Sequence, residues 1–452
     1  MSRHKVSSGE RRIVEGGPER AVLVGVQLPN SSVELSASLD ELGQLAASAG
    51  AEVVGRVSQR LEEPNPRHYI GKGKLEELAA LCRETDATMV VFDDELRPQA
   101  QLELERALGL RVIDRTLLIL DIFARRAHTH EGRVQVELAQ YQYLLPRLVG
   151  QGTALSRLGG GIGTRGPGET KLEFDRRRMR QRITRLEREI EAIRLHRQVH
   201  RDSRRTKDLP VVALIGYTNA GKSTLLNRLT GSDVEVANKL FATLDPTTRK
   251  LELPSGQEVL LTDTVGFIAK LPTSLVAAFR ATLEELEEAD LLLSVVDITD
   301  RRAEQSSRVV RGIVAELGLL DKPTLTVLNK ADGLLPPEAA AAADPVEGLT
   351  PEALGMEPIP DTVLISAEKG WGIEALKLRI EETLNASTPR IEVLVPYGRS
   401  DLVDLFRRKG VVQIEEHTPD GTRLVGRLPA RHVARFDGFA VRGATGSAHV
   451  RG

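Results

Sequence analysis

The chain has 452 residues and a formal net charge of −2, and apolar residues make up 41% of it while aromatic residues make up only 3%. This length predicts several hydrophobic cores, and the composition is that of a globular protein. No stretch approaches the roughly 18 apolar residues of a membrane span, and the N-terminus has no apolar signal-type segment. We expect a cytoplasmic protein, and the single cysteine, Cys82, fits a reducing compartment.

The first 20 residues are predicted to be a flexible N-terminus, and residues 21–115 to form an α/β domain. Short β-branched runs (AVLVGV, AEVVGRV, TMVVFD, RVIDR) alternate there with helix-like stretches (SLDELGQLAASAG, KLEELAALCRE, QLELERALG). This alternation predicts a small parallel sheet with helices. The segment Gly71–Lys74 resembles a phosphate loop only superficially, because the rest of that pattern is missing.

Residues 116–207 are predicted to form a long antiparallel helical hairpin with a glycine-rich tip. The pattern is helical from about residue 116 to 148, breaks into GQGTALSRLGGGIGTRGPGE, and is helical again from about 170 to 200. One apolar seam on the second helix repeats with alternating spacings of four and three. Its members are Met179, Ile183, Leu186, Ile190 and Ile193.

The hairpin is also where positive charge concentrates. From Lys171 to Lys207 there are fourteen Lys/Arg against six Asp/Glu, a local net charge of +8 by subtraction. Such a run is either a solvated helix face or a contact for a polyanion. Cations among the glycines of the tip favour contact with nucleic-acid phosphates, because glycine lets the backbone approach closely. The predicted RNA-contacting residues are Arg157, Arg165, Lys171, Arg176, Arg177 and Arg178.

Two further domains are predicted after the hairpin. Residues 208–388 open with a buried-strand run (VVALIG) and then alternate strands and helices, which predicts a doubly wound, mostly parallel α/β domain. Residues 389–452 contain a strand, a helix and two strand-like runs joined around PDG, a hairpin signal. This last segment is predicted to be a small α+β domain.

A phosphate loop is the strongest motif in the chain. Gly216, Gly221, Lys222 and Ser223 match G-x-x-x-x-G-K-[ST] where a strand turns into a helix (VVALIGYTNAGKSTLLNRL). The backbone amides of such a loop surround the β-phosphate, the lysine neutralises the β/γ oxygens, and the serine hydroxyl binds Mg²⁺. A companion D-x-x-G follows the strand EVLLT, where the Asp263 carboxylate would hold the Mg²⁺ shell and the Gly266 amide would meet the γ-phosphate.

A third motif, N-K-x-D from Asn329 to Asp332, selects the base. A carboxylate at Asp332 can accept both guanine N1–H and the 2-amino group, whereas adenine offers neither donor on that edge. Ser366 and Ala367 would complete the guanine pocket through backbone N–H groups. The sequence therefore predicts binding and hydrolysis of GTP, with Lys222 and Gly266 as the catalytic residues.

With these motifs in place, the chain resembles the HflX-type GTPases, a bacterial family of translation-factor-class GTPases. The resemblance rests on YIGKGKLEEL, GGIGTRGPGETKLEFDRRR, GYTNAGKSTLLNRL, FATLDPTTR, DTVGFI and NKAD, and covers nearly the whole chain. It implies a P-loop GTPase domain whose partners are GTP/GDP and the large ribosomal subunit with its RNA. It also implies a role in splitting or rescuing ribosomes, or in subunit biogenesis. We expect a monomer.

The resemblance also implies roles for individual residues. It favours Thr243 as the second hydroxyl on Mg²⁺ over Thr247 and Thr248. The predicted GTP-binding residues are Gly216, Tyr217, Thr218, Asn219, Ala220, Gly221, Lys222, Ser223, Thr224, Phe241, Ala242, Thr243, Leu244, Asp245, Asp263, Thr264, Val265, Gly266, Asn329, Lys330, Ala331, Asp332, Ser366, Ala367 and Glu368. The predicted metal-binding residues are Ser223, Thr243 and Asp263.

Two positions bear on the rate of hydrolysis. The residue after D-x-x-G, often a water-orienting glutamine, is Phe267, which cannot hydrogen-bond a water, so we expect slow intrinsic turnover that ribosomes stimulate. Asn219 resembles the asparagine that positions K⁺ in some cation-activated GTPases, and a structural role in the loop is the alternative. The competing hypothesis for the whole chain is a GTP-regulated RNA-binding assembly scaffold with incidental hydrolysis.

Overall fold

A computed structural model describes most of the chain. The described residues are 18–29, 31, 33–148, 171–205, 209–232, 240–241, 243–244, 247–270, 272, 285–335, 344–346, 361–386, 389–428 and 430–441. The chain divides into two compact units, the first comprising residues 1–190 with 270–278, the second 191–269 with 279–452. None of the helices in the described ranges is long and apolar enough to cross a membrane.

The first unit is built on a four-stranded parallel sheet in the order β2-β1-β3-β4. Its strands are β1 (Arg20–Gln27), β2 (Glu52–Arg60), β3 (Met89–Phe92) and β4 (Arg111–Asp114). The helices between them are α1 (Leu35–Ser48), α2 (Lys72–Glu84) and α3 (Pro98–Leu108). The inner strands, β1 and β3, are buried except at the two ends of β1, because helices cover the sheet, as parallel strands require. Cys82, on α2, is among the buried residues of this core.

A buried ionic cluster ties three elements of the first unit together. Arg115 is 2% exposed. Its guanidinium donates to Glu41 Oε1 of α1 at 2.5 Å and to Asp93 Oδ1, just after β3, at 2.7 Å. Because a buried charge is costly without partners, Arg115 depends on these two carboxylates, and Asp93 also accepts from Ser38 Oγ and Lys270 Nζ.

The helical part of the first unit begins directly after β4. The stretch from 116 to 148 forms two helices rather than one continuous one, α4 (Arg115–Arg126) and α5 (His130–Arg147). The break falls where Thr129 Oγ1 accepts a hydrogen bond from Gly132 N at 2.9 Å, an N-cap that starts the second helix.

The next helix, α6 (Lys171–Arg205), is 35 residues long. Ile183, Leu186 and Ile190 of the predicted seam pack with Val134 and Leu138 of α5, which confirms that the two helices pair. Beside this apolar contact, Arg182 donates to both carboxylate oxygens of Glu137 at 2.8 and 2.7 Å. The remaining seam residues, Met179 and Ile193, are half-buried.

The second unit contains a six-stranded sheet in the order β10-β9-β8-β5-β7-β6. All neighbours are parallel except β6, which runs antiparallel to β7 at the edge. The strands are β5 (Val211–Gly216), β6 (Thr247–Glu252), β7 (Glu258–Asp263), β8 (Leu291–Asp297), β9 (Thr324–Asn329) and β10 (Thr362–Leu364). The accompanying helices are α7 (Lys222–Thr230), α8 (Ala303–Glu316) and α9 (Ile373–Ala386). This is the predicted doubly wound fold.

The C-terminal part of the second unit has its own small core. An antiparallel sheet in the order β11-β13-β12 packs against one helix. Its elements are β11 (Arg390–Val395), α10 (Ser400–Lys409), β12 (Val411–Thr418), β13 (Gly421–Arg427) and the short α11 (Ala430–Val433). Strands β12 and β13 are joined at the predicted hairpin, where Thr418 pairs with Gly421. The α+β class expected for this segment is confirmed.

Candidate functional site

The site lies at the carboxyl edge of the six-stranded sheet, where β5 ends at Gly216 and α7 begins at Lys222. Gly221 has φ +93°, a conformation that favours glycine, and a Cβ there would lie 2.3 Å from Asn329 Nδ2. The loop therefore passes the end of β9 at a distance that only glycine permits. Ligands of open α/β sheets bind at this edge of the sheet.

Lys222 is buried beneath the loop. Its Nζ donates to the carbonyl oxygens of Gly216 at 3.1 Å and Tyr217 at 2.9 Å. Burial lowers the pKa of Lys222 to about 8, although the negative charge of Asp263 opposes the shift. The ammonium has lost its hydration and, among the described residues, has gained only neutral carbonyl partners at hydrogen-bonding distance, so a phosphate oxygen would stabilise it.

Two hydroxyls and a carboxylate converge next to Lys222. Ser223 Oγ lies 2.8 Å from Thr243 Oγ1 and donates to Asp263 Oδ2 at 2.7 Å. Thr243 Oγ1 also donates to Asp263 Oδ2, at 3.0 Å. Of the alternatives to Thr243, Thr248 pairs its hydroxyl with Thr262 at 3.0 Å, and Thr247 pairs with Asp263 through the strand ladder.

The chemistry of this cluster fits Mg²⁺, a hard cation that takes oxygen ligands. Asp263 is buried, and burial raises the pKa of its carboxyl even though Lys222 lies nearby. Its second oxygen, Oδ1, has no hydrogen-bond partner within the described part of the chain. A buried carboxylate oxygen without a partner is costly, and a cation would offset that cost.

The D-x-x-G segment is paired with the phosphate loop. Gly266 comes so near that a Cβ on it would lie 2.9 Å from Thr218 Cγ2 and 3.0 Å from Lys222 Nζ. The next residue, Phe267, donates its N–H to Gly216 O at 3.1 Å and accepts from Thr218 N at 2.8 Å. Its side chain is 2% exposed. Phe267 thus lies in the protein interior and offers no polar group to a water.

The base-recognition residues are joined to the loop by Asn329. Its Nδ2 donates to Ala220 O at 2.8 Å, and its Oδ1 accepts from Ala367 N at 3.0 Å. Ser366 Oγ donates to Asp332 Oδ1 at 2.6 Å and so orients the carboxylate. The structure brings together the three segments that the sequence motifs identified separately.

Two residues of this site are not among those that the sequence predicts. Asp297 Oδ2, at the end of β8, pairs with Lys330 Nζ at 2.6 Å. Arg228 of α7 donates through Nε to Ala367 O at 3.0 Å and through Nη2 to Glu368 O. The position of Asp297 at a strand end was a usable signal, whereas nothing in the local sequence of α7 marks Arg228.

Several predicted site residues cannot be placed. Ala242, Asp245, Arg157 and Arg165 lie outside the described residues, as does the side chain of Lys171. The three arginines on α6 can be compared: Arg177 and Arg178 are exposed, while Arg176 is half-buried with its Nε enclosed. Asn219 is exposed and has φ +63°.

Three family models match the chain in succession. Residues 36–124 match one described as GTP-binding GTPase N-terminal, and residues 126–204 match one described as GTP-binding GTPase Middle Region. Residues 211–330 match one described as 50S ribosome-binding GTPase.

Curated relatives match over most of their length. A protein of Caldanaerobacter subterraneus named GTPase HflX is 46% identical over 423 residues, covering 94% of each chain. The GTPase HflX of Escherichia coli is 42% identical over 413 residues, covering 91% of this chain and 94% of that protein. Among solved structures, a complex of SsGBP with GDP aligns with 81% of this chain and 99% of its own at 27% identity, with a TM-score of 0.44.

Proposed function

The chain belongs to the HflX family of GTPases, and from this premise we propose that GTP controls its binding to the large ribosomal subunit, in ribosome splitting and rescue or in subunit biogenesis. It binds GTP and hydrolyses it to GDP and phosphate. The observation that carries the ribosomal proposal is the match of residues 211–330 to a family described as ribosome-binding. The place of action is then the cytoplasm, and the protein acts as a monomer.

Each part of the site has a separate task in this proposal. The Lys222 ammonium neutralises charge on the β- and γ-phosphates, and the Gly266 amide donates to the γ-phosphate. The Asp332 carboxylate accepts from guanine, while Ser366 and Asn329 hold the two loops that form the pocket. Ser223, Thr243 and Asp263 would hold Mg²⁺, which supplies charge neutralisation between phosphate oxygens.

Hydrolysis depends on what orients the attacking water. Phe267 is buried and apolar, so the side chain at the usual glutamine position does not perform this task. We therefore expect slow hydrolysis by the protein alone and faster hydrolysis on the ribosome.

In this proposal Asn219 positions a K⁺ ion, and its alternative role is to shape the phosphate loop. Rates in KCl and NaCl for wild type and Asn219→Ala distinguish the two roles.

The test is co-sedimentation with purified large subunits in GDP, in ATP and in a non-hydrolysable GTP analogue, together with the rate of GTP hydrolysis. The proposal expects strong binding only with the GTP analogue and hydrolysis that rises with added subunits. Binding that is equal with GDP and with the analogue would favour the RNA-binding scaffold instead. An equal response to ATP would contradict the guanine pocket built on Asp332.

A further inference from the structure

The second residue of the phosphate loop reaches into the segment that follows D-x-x-G. Ala269 N donates to the hydroxyl of Tyr217 at 2.7 Å. The phosphate loop surrounds phosphates with backbone amides, so its function does not itself require a hydroxyl at position 217. We propose that the Tyr217 hydroxyl is a positioning group that holds residues 266–269 in the arrangement that receives the γ-phosphate. This inference rests on the proposed roles of Lys222 and Gly266.

The hydroxyl completes a set of contacts made by one short stretch of backbone. Gly216 O and Thr218 N are the two hydrogen-bond partners of Phe267, so Tyr217 and Phe267 lie side by side as a parallel β-bridge. Without the hydroxyl, the hydrogen bonding between the phosphate loop and the D-x-x-G segment would stop at Phe267. With it, the pairing extends two residues further, to Ala269, where the chain turns through Lys270 at φ +52°.

The same stretch also holds the catalytic lysine. The carbonyl oxygens of Gly216 and Tyr217 accept from Lys222 Nζ, so the loop residues that grip the D-x-x-G segment also orient the ammonium. Gly266 lies next to both the loop and the ammonium, because an added Cβ on it would lie 3.0 Å from Lys222 Nζ. A shift of residues 266–269 would therefore move the Gly266 amide relative to the ammonium.

The contact occurs together with the meeting of two hydroxyls and a carboxylate, those of Ser223, Thr243 and Asp263. In this same structure Thr243 Oγ1 lies within hydrogen-bonding distance of both Ser223 and Asp263. Thr243 and Gly266 are the groups that the proposed function expects to respond to the γ-phosphate. The Tyr217–Ala269 hydrogen bond is thus present in a structure in which Thr243 contacts Asp263. Tyr217 is a positioning residue, since its hydroxyl acts on the nucleotide only through Gly266.

The test compares Tyr217→Phe, which removes only the hydroxyl, with Tyr397→Phe, which removes a tyrosine hydrogen bond to Thr418 O in the C-terminal sheet. Affinities for GDP and for a non-hydrolysable GTP analogue are measured for wild type and both variants. Amide exchange of Ala269 is measured with the analogue bound. Loss of one hydrogen bond predicts about three- to ten-fold weaker binding of the analogue to Tyr217→Phe, with GDP affinity within about two-fold of wild type.

The outcomes separate this inference from the proposed function. Faster exchange at Ala269 with a lowered preference for the analogue over GDP, absent in Tyr397→Phe, supports the positioning role. An unchanged preference in Tyr217→Phe overturns it, whether or not the exchange rate rises. Equal weakening of GDP and analogue also overturns it, because a general structural role would act on both. If wild type itself fails to bind guanine nucleotides, the proposed nucleotide site fails instead.

Discussion

At the residue scale, the proposed site assigns the choice of base to one charged group, the Asp332 carboxylate. Asp332→Asn keeps the shape of the pocket but removes the anion that accepts two guanine donors, while Ser366 still reaches the side chain. Because a hydrogen bond to a charged group is worth about 1.5–3 kcal/mol, we expect roughly ten- to hundred-fold weaker GTP binding. A titration with fluorescent nucleotide measures the change.

Xanthosine nucleotides provide the matched control for this substitution. Xanthine carries a carbonyl where guanine carries the 2-amino group, so the asparagine amide can donate to it. Affinity for the xanthosine nucleotide should rise in Asp332→Asn, because the new amide donates to this carbonyl. The phosphate loop remains intact and still binds the phosphates. Unchanged GTP affinity in the variant would show that Asp332 is not the base-recognition residue.

We predict that Lys222 makes nucleotide affinity depend on pH. Burial lowers its pKa to about 8 in the free protein, and bound phosphates should raise it again. Below that pKa the lysine is already protonated, so binding takes up no proton and affinity is flat. Above it, binding must take up one proton, and the affinity should fall about tenfold for each pH unit. GDP titrations between about pH 7 and 9 test this slope.

Lys222→Arg is the control, since a guanidinium stays charged throughout this range. Its affinity for GDP should not follow the wild-type slope, although it can be lower at every pH. A slope shared by both proteins would assign the titration to the nucleotide or to another group.

At the scale of elements, the buried cluster of Arg115, Glu41 and Asp93 links α4, α1 and the end of β3. Arg115→Met keeps apolar volume but removes the charge that Glu41 and Asp93 share, and leaves Asp93 paired with Lys270. We expect the first unit to lose about 3 kcal/mol or more of unfolding free energy. Arg111→Met, at an exposed ion pair in the same unit, should cost less than about 1 kcal/mol.

Denaturant unfolding of the full chain, followed with and without GDP, measures this effect. The transition that GDP does not shift belongs to the first unit, so Arg115→Met should move that transition alone. Equal stability of the two variants would mean that packing rather than the ionic cluster holds these elements.

The elements that the sequence predicts well are those whose burial is uniform. Strands such as β3 and β5 are apolar runs because helices cover both faces, and the parallel sheet follows from their alternation with helices. The edge strand β6 was not predicted, because its sequence TTRKLE is mostly polar and its pairing depends on β7. The break between α4 and α5 was also missed, since Thr129 sits between two stretches that are each helical in pattern.

The site residues that the sequence predicts are those that belong to motifs at strand ends. Motif residues such as Lys222 and Asp263 have a fixed spacing from strand ends, so their meeting could be expected from the sheet. Arg228 and the Tyr217 hydroxyl act across the fold, on backbone groups that lie far away in sequence, at residues 367–368 and 269. Such contacts depend on the packing of α7 and of the D-x-x-G segment, which no local pattern encodes.

At the scale of the whole molecule, a chain of net charge −2 is proposed to hold a polyanionic particle. The positive charge is concentrated on α6, where Arg177 and Arg178 are exposed. If they contact ribosomal RNA phosphates, the double alanine variant should bind large subunits more weakly. The slope of log affinity against log salt concentration should become shallower by roughly one to two. Each phosphate contact contributes about 0.9 to that slope through counterion release, and the variant has lost two such contacts.

Sedimentation across a salt series with a non-hydrolysable GTP analogue measures both quantities. Arg308→Ala/Arg311→Ala is the control, since it removes the same charge from exposed positions on α8. Hydrolysis by the isolated protein should not change in either variant, and stimulation by subunits should fall only in the α6 variant. If the α6 variant keeps the wild-type affinity for large subunits and the wild-type salt slope, Arg177 and Arg178 belong only to a solvated helix face.

The burial of Cys82 makes the chain a convenient background for site-specific labelling. The chain has no other thiol, and burial raises the pKa of this one to about 11, so near neutral pH almost none of it is the reactive thiolate. A maleimide dye should therefore not react with Cys82 in the native protein. A single cysteine introduced at Phe174, a half-exposed position on α6, would then carry the dye alone. Its emission would report directly when a ribosomal subunit covers the helix.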